Sequence, residues 1–511
     1  MKKGLQWTIF VSLFLLIISR ICFAQTPMPV AAPKRIIEEE IKPTPPGSLP
    51  TGFRESPSDP KYLHPSLLKE GKPIPEQPAS YDWRSSGVTS VKDQNGWGTC
   101  WIFSGIGDLE SKIKIVGPPP DQDYSEWDMW SGNAQGVDNA GGHTRQVANH
   151  FTIYGTIREV DAPYQTGYRP GPPYPVASYW SPPAGIGGQK AVREWHYLGD
   201  LDTIGWANTL KTYIQNKGPI SASVRVDTIN NWCSGQGLPA FNTYSWDSAL
   251  VVPYLPTSSA TDHAILIVGW DDTKPHHPSI PGTGAWLVKN SWGTAWGNPG
   301  ELGYFWIAYG SARIGANCSY YPQTGYKTYD SGETLMYYDE FGCFDACGWN
   351  SPPDYDIYAI CAYTPSFTGD KYLNNVEFWN WYPGVDWEVR VFGTWDRSGT
   401  PSAQIGSTLT GTAPEAGYFT AIFPTSPQLT SGNEIFIQVR YTDPSNTWPY
   451  LAPYEYDVPW FPNPPPTDES AKCYVSPTGT GGWADISSGL GDVGIRGRYS
   501  GAPAVSDWLL Y

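Results

Sequence analysis

A cysteine, a histidine and an asparagine, far apart in the chain, are the residues whose types and surroundings could do chemistry. Cys100 closes a Gly-bearing turn in the stretch Val91 to Ser104, VKDQNGWGTCWIFS, where an apolar run begins. Trp101, Ile102, Phe103, Ile106, Leu109 and Ile113 recur at helical spacing, which predicts a buried helix with Cys100 in its first turn. Unpaired N–H groups and the positive end of the helix dipole stabilise a thiolate there, and the thiolate is the nucleophile. Upstream, Gln94 offers a side-chain amide. Together with the Cys100 backbone N–H it could hold the charge that develops on a carbonyl oxygen under attack. His263 heads the apolar run Ala264 to Val268, and Asn290 follows the run Ala285 to Val288 within Lys289-Asn290-Ser291-Trp292-Gly293. An imidazole can take the thiol proton and return it to a leaving amine. A carboxamide can accept the other ring N–H and fix the tautomer, and a tryptophan such as Trp292 can shield that bond from water. A lone cysteine at the start of a core helix is ordinarily an inert thiol. The histidine and asparagine motifs downstream argue against that here.

On these motifs, in this order, the sequence resembles the papain-like cysteine peptidases. The resemblance covers Tyr81 to Tyr321, roughly half of the 511 residues, and begins at Tyr81-Asp82-Trp83-Arg84, which is similar to the mature start of family members. It implies an α+β, two-lobed fold, a helical half plus a β-barrel-like half, with the site in the cleft between them. It also implies roles: Cys100 nucleophile, His263 general base and acid, Asn290 orienter, Gln94 oxyanion donor, and Trp292 cover over the Asn–His contact. The turn Asn139-Ala140-Gly141-Gly142 would present backbone N–H and C=O groups to a substrate held as an extended strand, with Gly141 and Gly142 as substrate-binding residues. Asp262 would tune charge beside His263. The sequence departs from the family at Trp97 and Asn139, which stand where the family has two bridged cysteines, and at Thr99, where serine is usual.

The elements that must position these groups follow in chain order. Residues 1–24 read as a signal peptide, with Lys2 and Lys3, an apolar core from Trp7 to Ser19, and a cleavage site at Cys22-Phe23-Ala24. An uncleaved N-terminal anchor is the alternative, and no stable membrane span is expected after signal removal. Residues 25–80 are a Pro-rich pro-segment or linker, with Ile36 to Ile41 as a possible helical turn. The family carries an inhibitory propeptide at this place. Phe53 to Leu68 could lie along the groove and block it, or the segment could be a passive spacer. Residues 81–325 are assigned to the peptidase domain. Within it Ser125 caps a second helix, His143 to Tyr154 forms a third, and Pro163 to Pro183 reads as a surface insertion. Leu210 to Gly218 reads as a helix and Pro219 to Val226 as a strand. His143 could line the cleft but reads more simply as a polar surface residue. His276-His277 cannot make a zinc site by themselves.

From 330 to 500 the texture changes to short alternating runs such as Trp387-Glu388-Val389-Arg390-Val391 and Ile435 to Tyr441, separated by Gly, Pro, Asn and Asp. This predicts an all-β sandwich domain. Its order and texture resemble the lectin-like domain that follows some papain-like units, with residues 501–511 as a C-terminal tail. Trp379, Trp381 and Trp395 could stack on sugar rings, with a carbohydrate or cell-surface ligand as partner of this domain, although alternating aromatics in a sandwich are more often core. The formal net charge of -16 becomes -16 - 3 = -19 once Lys2, Lys3 and Arg20 leave with the signal, which argues against nucleic acid as a partner. With Cys22 removed and Cys100 reserved, Cys233, Cys318, Cys343, Cys347, Cys361 and Cys473 form an even set that an oxidising compartment would pair. The expectation is a secreted or cell-surface cysteine endopeptidase that needs no cofactor or metal and acts on proteins or peptides. A catalytically decayed surface-binding or adhesion protein is the competing class. A transglutaminase-like acyltransferase would end its triad in Asp, against Asn290.

Overall fold

The computed structural model describes residues 28–32, 51–55, 77–117, 121–132, 141–164, 190–237, 241, 248–252, 260–349, 356–455, 470–487 and 489–501. The signal segment, Ile36 to Ile41, Asn139, Ala140 and most of the Pro163 to Pro183 insertion lie outside them. Helix α1, Cys100–Val116, forms where the apolar periodicity predicts it. Ile102, Ile106 and Leu109 are fully buried, and each such side chain contributes about 1.5–3 kcal/mol. Ser125 caps α2, Glu126–Gly132, by accepting the Asp128 N–H at 2.9 Å, as the sequence predicts. Helix α3, Thr144–Ile153, packs on α1 so closely that a Cβ at Gly105 would sit 3.0 Å from the Val147 side chain.

The second half of the unit contains α4, Ala207–Lys217, the strand Ile220–Val224 and α5, Val226–Gly235. The sequence did not predict α5, which depends on a partner distant in the chain. Asp262 accepts the Val226 N–H at 2.7 Å and the Asp227 N–H at 3.2 Å. The central strand, His263–Pro275, pairs antiparallel with Ile220–Val224 on one side and Thr283–Lys289 on the other, with Val224 opposite His263.

Among the described residues the sheet of the expected barrel-like half does not close on itself. It stays open and runs through Ala316–Tyr320 and Trp195–Gly199 into Ala416–Ile422 of the C-terminal half, where Tyr197 sits opposite Ala416. The result is one 12-stranded sheet shared by both halves. Gly417 is required at this junction, because a Cβ there would lie 2.0 Å from the Trp195 carbonyl oxygen.

The C-terminal half is the predicted sandwich. One layer belongs to the shared sheet, through Lys371–Asn380, Ala416–Ile422 and Ile495–Ser500. The other is a seven-stranded sheet that includes Asp356–Tyr363, Val385–Thr394, Ile435–Thr442 and Cys473–Ser476. Trp379, Trp381 and Trp395 do not face solvent, which is the core placement expected of alternating aromatics and not the sugar-stacking one. They are 1%, 2% and 6% exposed, and the alternation that flagged them marks their core face. Two buried arginines fasten the sandwich to α3. Arg496 bonds Asp339 and the Thr152 hydroxyl, both at 2.7 Å, and Arg498 bonds Glu377 at 2.6 Å and the Thr152 carbonyl at 2.8 Å. Removing one partner of such a buried pair costs about 3–5 kcal/mol.

The N-terminal segment touches both halves. Val30–Ala31 adds an antiparallel strand beside Cys347 and Gly348 of the sandwich, and Phe53 bridges Gly142 of the peptidase unit in parallel register.

All seven described cysteines are free thiols. Of the six expected to pair, Cys361 and Cys473 face each other across antiparallel strands with sulfurs 3.3 Å apart. A disulfide oxidant can take their two electrons and two protons and join them without a change of fold. Protein recovered from an oxidising compartment and digested without reductant should yield a linked 361–473 peptide. Alkylation of both residues after unfolding without reductant would contradict this.

Candidate active site

The site lies where the N-terminus of α1 meets the first residues of the central strand. Cys100 is completely buried, and its sulfur is 3.4 Å from the Ala264 N–H, so it lies beside the backbone of His263. His263 Nε2 and Asn290 Oδ1 are 2.8 Å apart, which fixes the ring by the asparagine carbonyl. The Trp292 ring lies over that contact, 4.8 Å from the imidazole centroid. His263 Nδ1 is buried and makes no hydrogen bond, and so does not compete for the Asn290 contact. Gln94 is fully buried. It receives the Ser291 hydroxyl on Oε1, and its Nε2 donates to the Trp97 carbonyl at 2.6 Å. The Gln94 N–H also donates to the Ser291 carbonyl at 2.8 Å, so the turn before α1 is tied to the residue after Asn290.

Below this point a buried ionic cluster ties the two lobes together. Lys92 contacts Glu110 and Glu126, both at 2.9 Å, Glu110 accepts the Thr89 hydroxyl, and Lys289 reaches Thr89 at 3.3 Å. Burial lowers the Lys289 ammonium to about 8, against the pull of Glu110. The bridge missing at Trp97 is replaced by aromatic packing. Trp97 lies 5.3 Å from Trp130, Trp130 stacks on Tyr164, and Tyr164 bonds the Thr99 hydroxyl at 2.9 Å and the Gln94 carbonyl at 3.2 Å.

The groove is occupied by the chain's own residues 51–55. Gly52 and Phe53 both donate to the Asp262 carbonyl at 2.9 Å, Arg54 donates to the Gly142 carbonyl, and the Gly142 N–H donates to Gly52, each at 2.8 Å. Gly142 therefore presents its backbone N–H and C=O to an extended strand of the chain itself, and Gly141 packs beside it. A Cβ on Gly141 would lie 2.1 Å from the Gly52 oxygen, and one on Gly142 would lie 2.5 Å from the Trp101 ring. Of the Phe53 to Leu68 stretch expected in the groove, Phe53 to Glu55 lie among the described residues.

Under this cover the two reactive groups are both neutral. Burial pushes the Cys100 thiol up to about 12, opposed by N–H groups of Ala264, Gly52 and Trp101 and helped by Asp262. Burial also pulls His263 down to about 4, opposed by the Asn290 bond. Asp262 itself is raised to about 7 by burial and by Asp227.

Sequence reasoning missed two features. His143 is not a surface residue. It is fully buried, caps α3 by accepting the Arg145 N–H at 3.0 Å, and stacks near Phe53 at 5.1 Å. The signal was available, because His143 followed by Gln146 completes a reciprocal capping box. The second feature is a set of donors around Glu55, drawn from Thr261, Arg313 and Asn317, for which no local motif exists. His276 bonds the Gly284 carbonyl and His277 bonds Ser279, so both stabilise their own turn.

The sequence matches the papain family cysteine protease family over residues 77–324 and the lectin like domain family over 335–495. Cathepsin F of Mus musculus is 27% identical over 275 residues, which are 50% of this chain and 49% of that protein. Cathepsin K of Gallus gallus is 29% identical over 232 residues, 44% of this chain and 58% of that one. The chain spans about half the length of these relatives. Among solved structures, the cysteine protease and lectin-like domains of Cwp84, a surface layer associated protein of Clostridium difficile, superpose with a TM-score of 0.66 at 19% identity. They cover 85% of this chain and 91% of that one. Cwp84 after propeptide cleavage gives 0.64 at 19% identity, covering 83% of this chain and 100% of that one. At such identity the likeness is one of fold, and it extends over both domains. Residues 77–324 belong to the papain family of cysteine proteases, and a lectin-like domain follows them over residues 335–495.

Proposed function

We propose that this chain is a secreted cysteine endopeptidase that hydrolyses protein or peptide substrates through Cys100, His263 and Asn290, and that residues 51–55 hold it latent. The observation that carries the reading is the imidazole fixed by Asn290 beneath Trp292, in the residue just before Ala264, whose N–H meets the sulfur at the first turn of α1. His263 takes the Cys100 proton, and the thiolate attacks the substrate carbonyl carbon. The Gln94 amide and the Cys100 N–H stabilise the oxygen that becomes negative. His263 then protonates the leaving amine, and water hydrolyses the thioester. No step calls for a metal or an organic cofactor. The lectin-like domain is an accessory module whose ligand is a carbohydrate or a cell-surface component. Export of the chain rests on the signal-like sequence of residues 1–24.

Latency follows from the electrostatics. A thiol held up to about 12 and an imidazole held down to about 4 cannot exchange a proton to form an ion pair near neutral pH. Lifting residues 51–55 lets water back to both groups and brings their affinities for the proton together. Gly52 is the point of leverage, because a side chain there would collide with the Gly98 carbonyl at 2.1 Å.

An epoxysuccinyl thiol-protease inhibitor should label Cys100 in chain freed of the strap, and Cys100→Ala or His263→Ala should abolish both labelling and peptide hydrolysis. Gln94→Ala should lower kcat by about 10²–10³ with KM little changed, the effect of losing one oxyanion donor. Iodoacetamide at pH 8 should alkylate Cys100 slowly in the full chain and at least about tenfold faster in Gly52→Trp, since the rate follows thiolate fraction and access. Equal rates in the two proteins would refute the latency.

A further inference from the structure

The seat of Glu55 is built with more care than a passive cover needs. Its carboxylate is buried, with 3% of the residue exposed. One oxygen, Oε1, accepts from the Thr261 N–H at 3.1 Å, the Thr261 hydroxyl at 2.9 Å, Asn317 Nδ2 at 3.1 Å and Arg313 Nη1 at 3.4 Å. These donors are themselves positioned from behind. Asp200 takes Arg313 Nη2 and the Asn317 N–H, Asp202 takes Arg313 Nε, and Ser223 holds both the Asn317 amide and the Thr261 hydroxyl. The two aspartates are thus turned onto the guanidinium and a backbone N–H, while Arg313 Nη1 reaches Glu55. Thr261 and Asp262 immediately precede His263, so the pocket opens into the reacting groove.

Donors fixed in a buried pocket do not vanish when their acceptor leaves. A ligand that supplies an oxygen replaces the acceptor that Glu55 gives them, and one that supplies a methyl or an ammonium leaves the Thr261 N–H without that acceptor, while Asn317 Nδ2 and the Thr261 hydroxyl keep Ser223. Side chains along an extended strand fall on one face at every second residue, whichever way the strand runs. A substrate strand bound to the backbone groups of Gly142 therefore offers side chains to the same two places that Phe53 and Glu55 now fill.

We propose that Thr261, Arg313 and Asn317 are specificity-determining residues of the cleft, and that they select substrates with an Asp or Glu side chain whose carboxylate takes the place of Glu55. The proposal rests on the peptidase reading above. The strap is then a mimic of the preferred side chain as well as a cover.

Two measurements test this separately. In the full chain, Glu55→Gln, Glu55→Leu and Glu55→Lys place amide, apolar and cationic groups in the seat, and the rate of Cys100 alkylation reads how often the strap opens. Cys318, buried in the core, serves as the internal marker that each variant is folded. The Leu and Lys variants should open more than about tenfold faster than wild type, and Gln by less, because the amide keeps an acceptor oxygen. A Leu variant as slow as wild type, or a Lys variant slower, overturns the proposal. The second measurement uses the full chain opened by Gly52→Trp and peptides in which Glu, Gln, Leu or Lys is scanned through about four residues on each side of the cleaved bond. At one position kcat/KM for Glu should exceed that for Leu and Lys by about tenfold or more. Asn317→Asp, tolerated at a φ of 51° and replacing the Nδ2 donor by a carboxylate oxygen, should erase the difference. A flat profile or a preference for Lys sinks the specificity and leaves the peptidase standing. Failure to cleave any peptide counts against the peptidase alone, and the alkylation series, which needs no turnover, then decides the seat.

Discussion

The distance of 3.4 Å between the Cys100 sulfur and the Ala264 N–H is the constraint on which the site depends. It requires the N-terminus of α1 to be pressed against the first residues of a β-strand that belongs to the other lobe. Each flanking feature serves that contact. Gly105 lets α3 close on α1, the Gln94–Ser291 bonds tie the turn before the helix to the loop after Asn290, and the Lys92–Glu110–Thr89–Lys289 cluster links the lobes from below. Loss of the usual bridge at Trp97 is tolerated because Trp130 and Tyr164 fill its place with contacts that also orient Thr99 and the Gln94 carbonyl.

The residues proposed to carry the chemistry stand out because each sits in a short motif whose local structure is set locally. The apolar period after Cys100, the Ser125 cap and the alternation in Ile435–Thr442 all report elements that form on their own terms. What was not legible depends on partners distant in the chain. Helix α5 starts because Asp262 caps it from 36 positions away. The half read as a barrel stays open because Trp195–Gly199 pairs with Ala416–Ile422 on one side and Ala316–Tyr320 on the other, and no period within any of them encodes that. For Trp379, Trp381 and Trp395 both an exposed and a core placement stayed open, because strand alternation says that two faces exist and does not say which one is covered.

The shared sheet changes what the second domain is mechanically. A module on a linker would move independently, whereas here backbone ladders and the buried pairs of Arg496 and Arg498 make the sandwich continuous with the lobe that carries α3. Val30–Ala31 pairs with that sandwich, and residues 51–55 lie in the cleft. The N-terminal segment is therefore held at two points on one body. Anchoring the first point raises the effective concentration of the second, so a short strand with few bonds can keep the cleft filled.

The direction of that strand explains why a filled cleft need not be a cleaved one. Residues 51–55 pair with Gly142 in parallel, and the Gly52 N–H is directed to the Asp262 carbonyl. Attack needs a carbonyl carbon over the sulfur and its oxygen toward Gln94, and here Gln94 Nε2 is instead bonded to the Trp97 carbonyl. The strap also excludes the water that would stabilise a thiolate, so the nucleophile and its target are withheld together. A strand entering in the opposite direction, with an oxygen-bearing side chain for the Thr261–Arg313–Asn317 pocket, would reverse both conditions at once. Occupancy of the cleft and reactivity in it are thus separable, and the orientation of the bound backbone is what separates them.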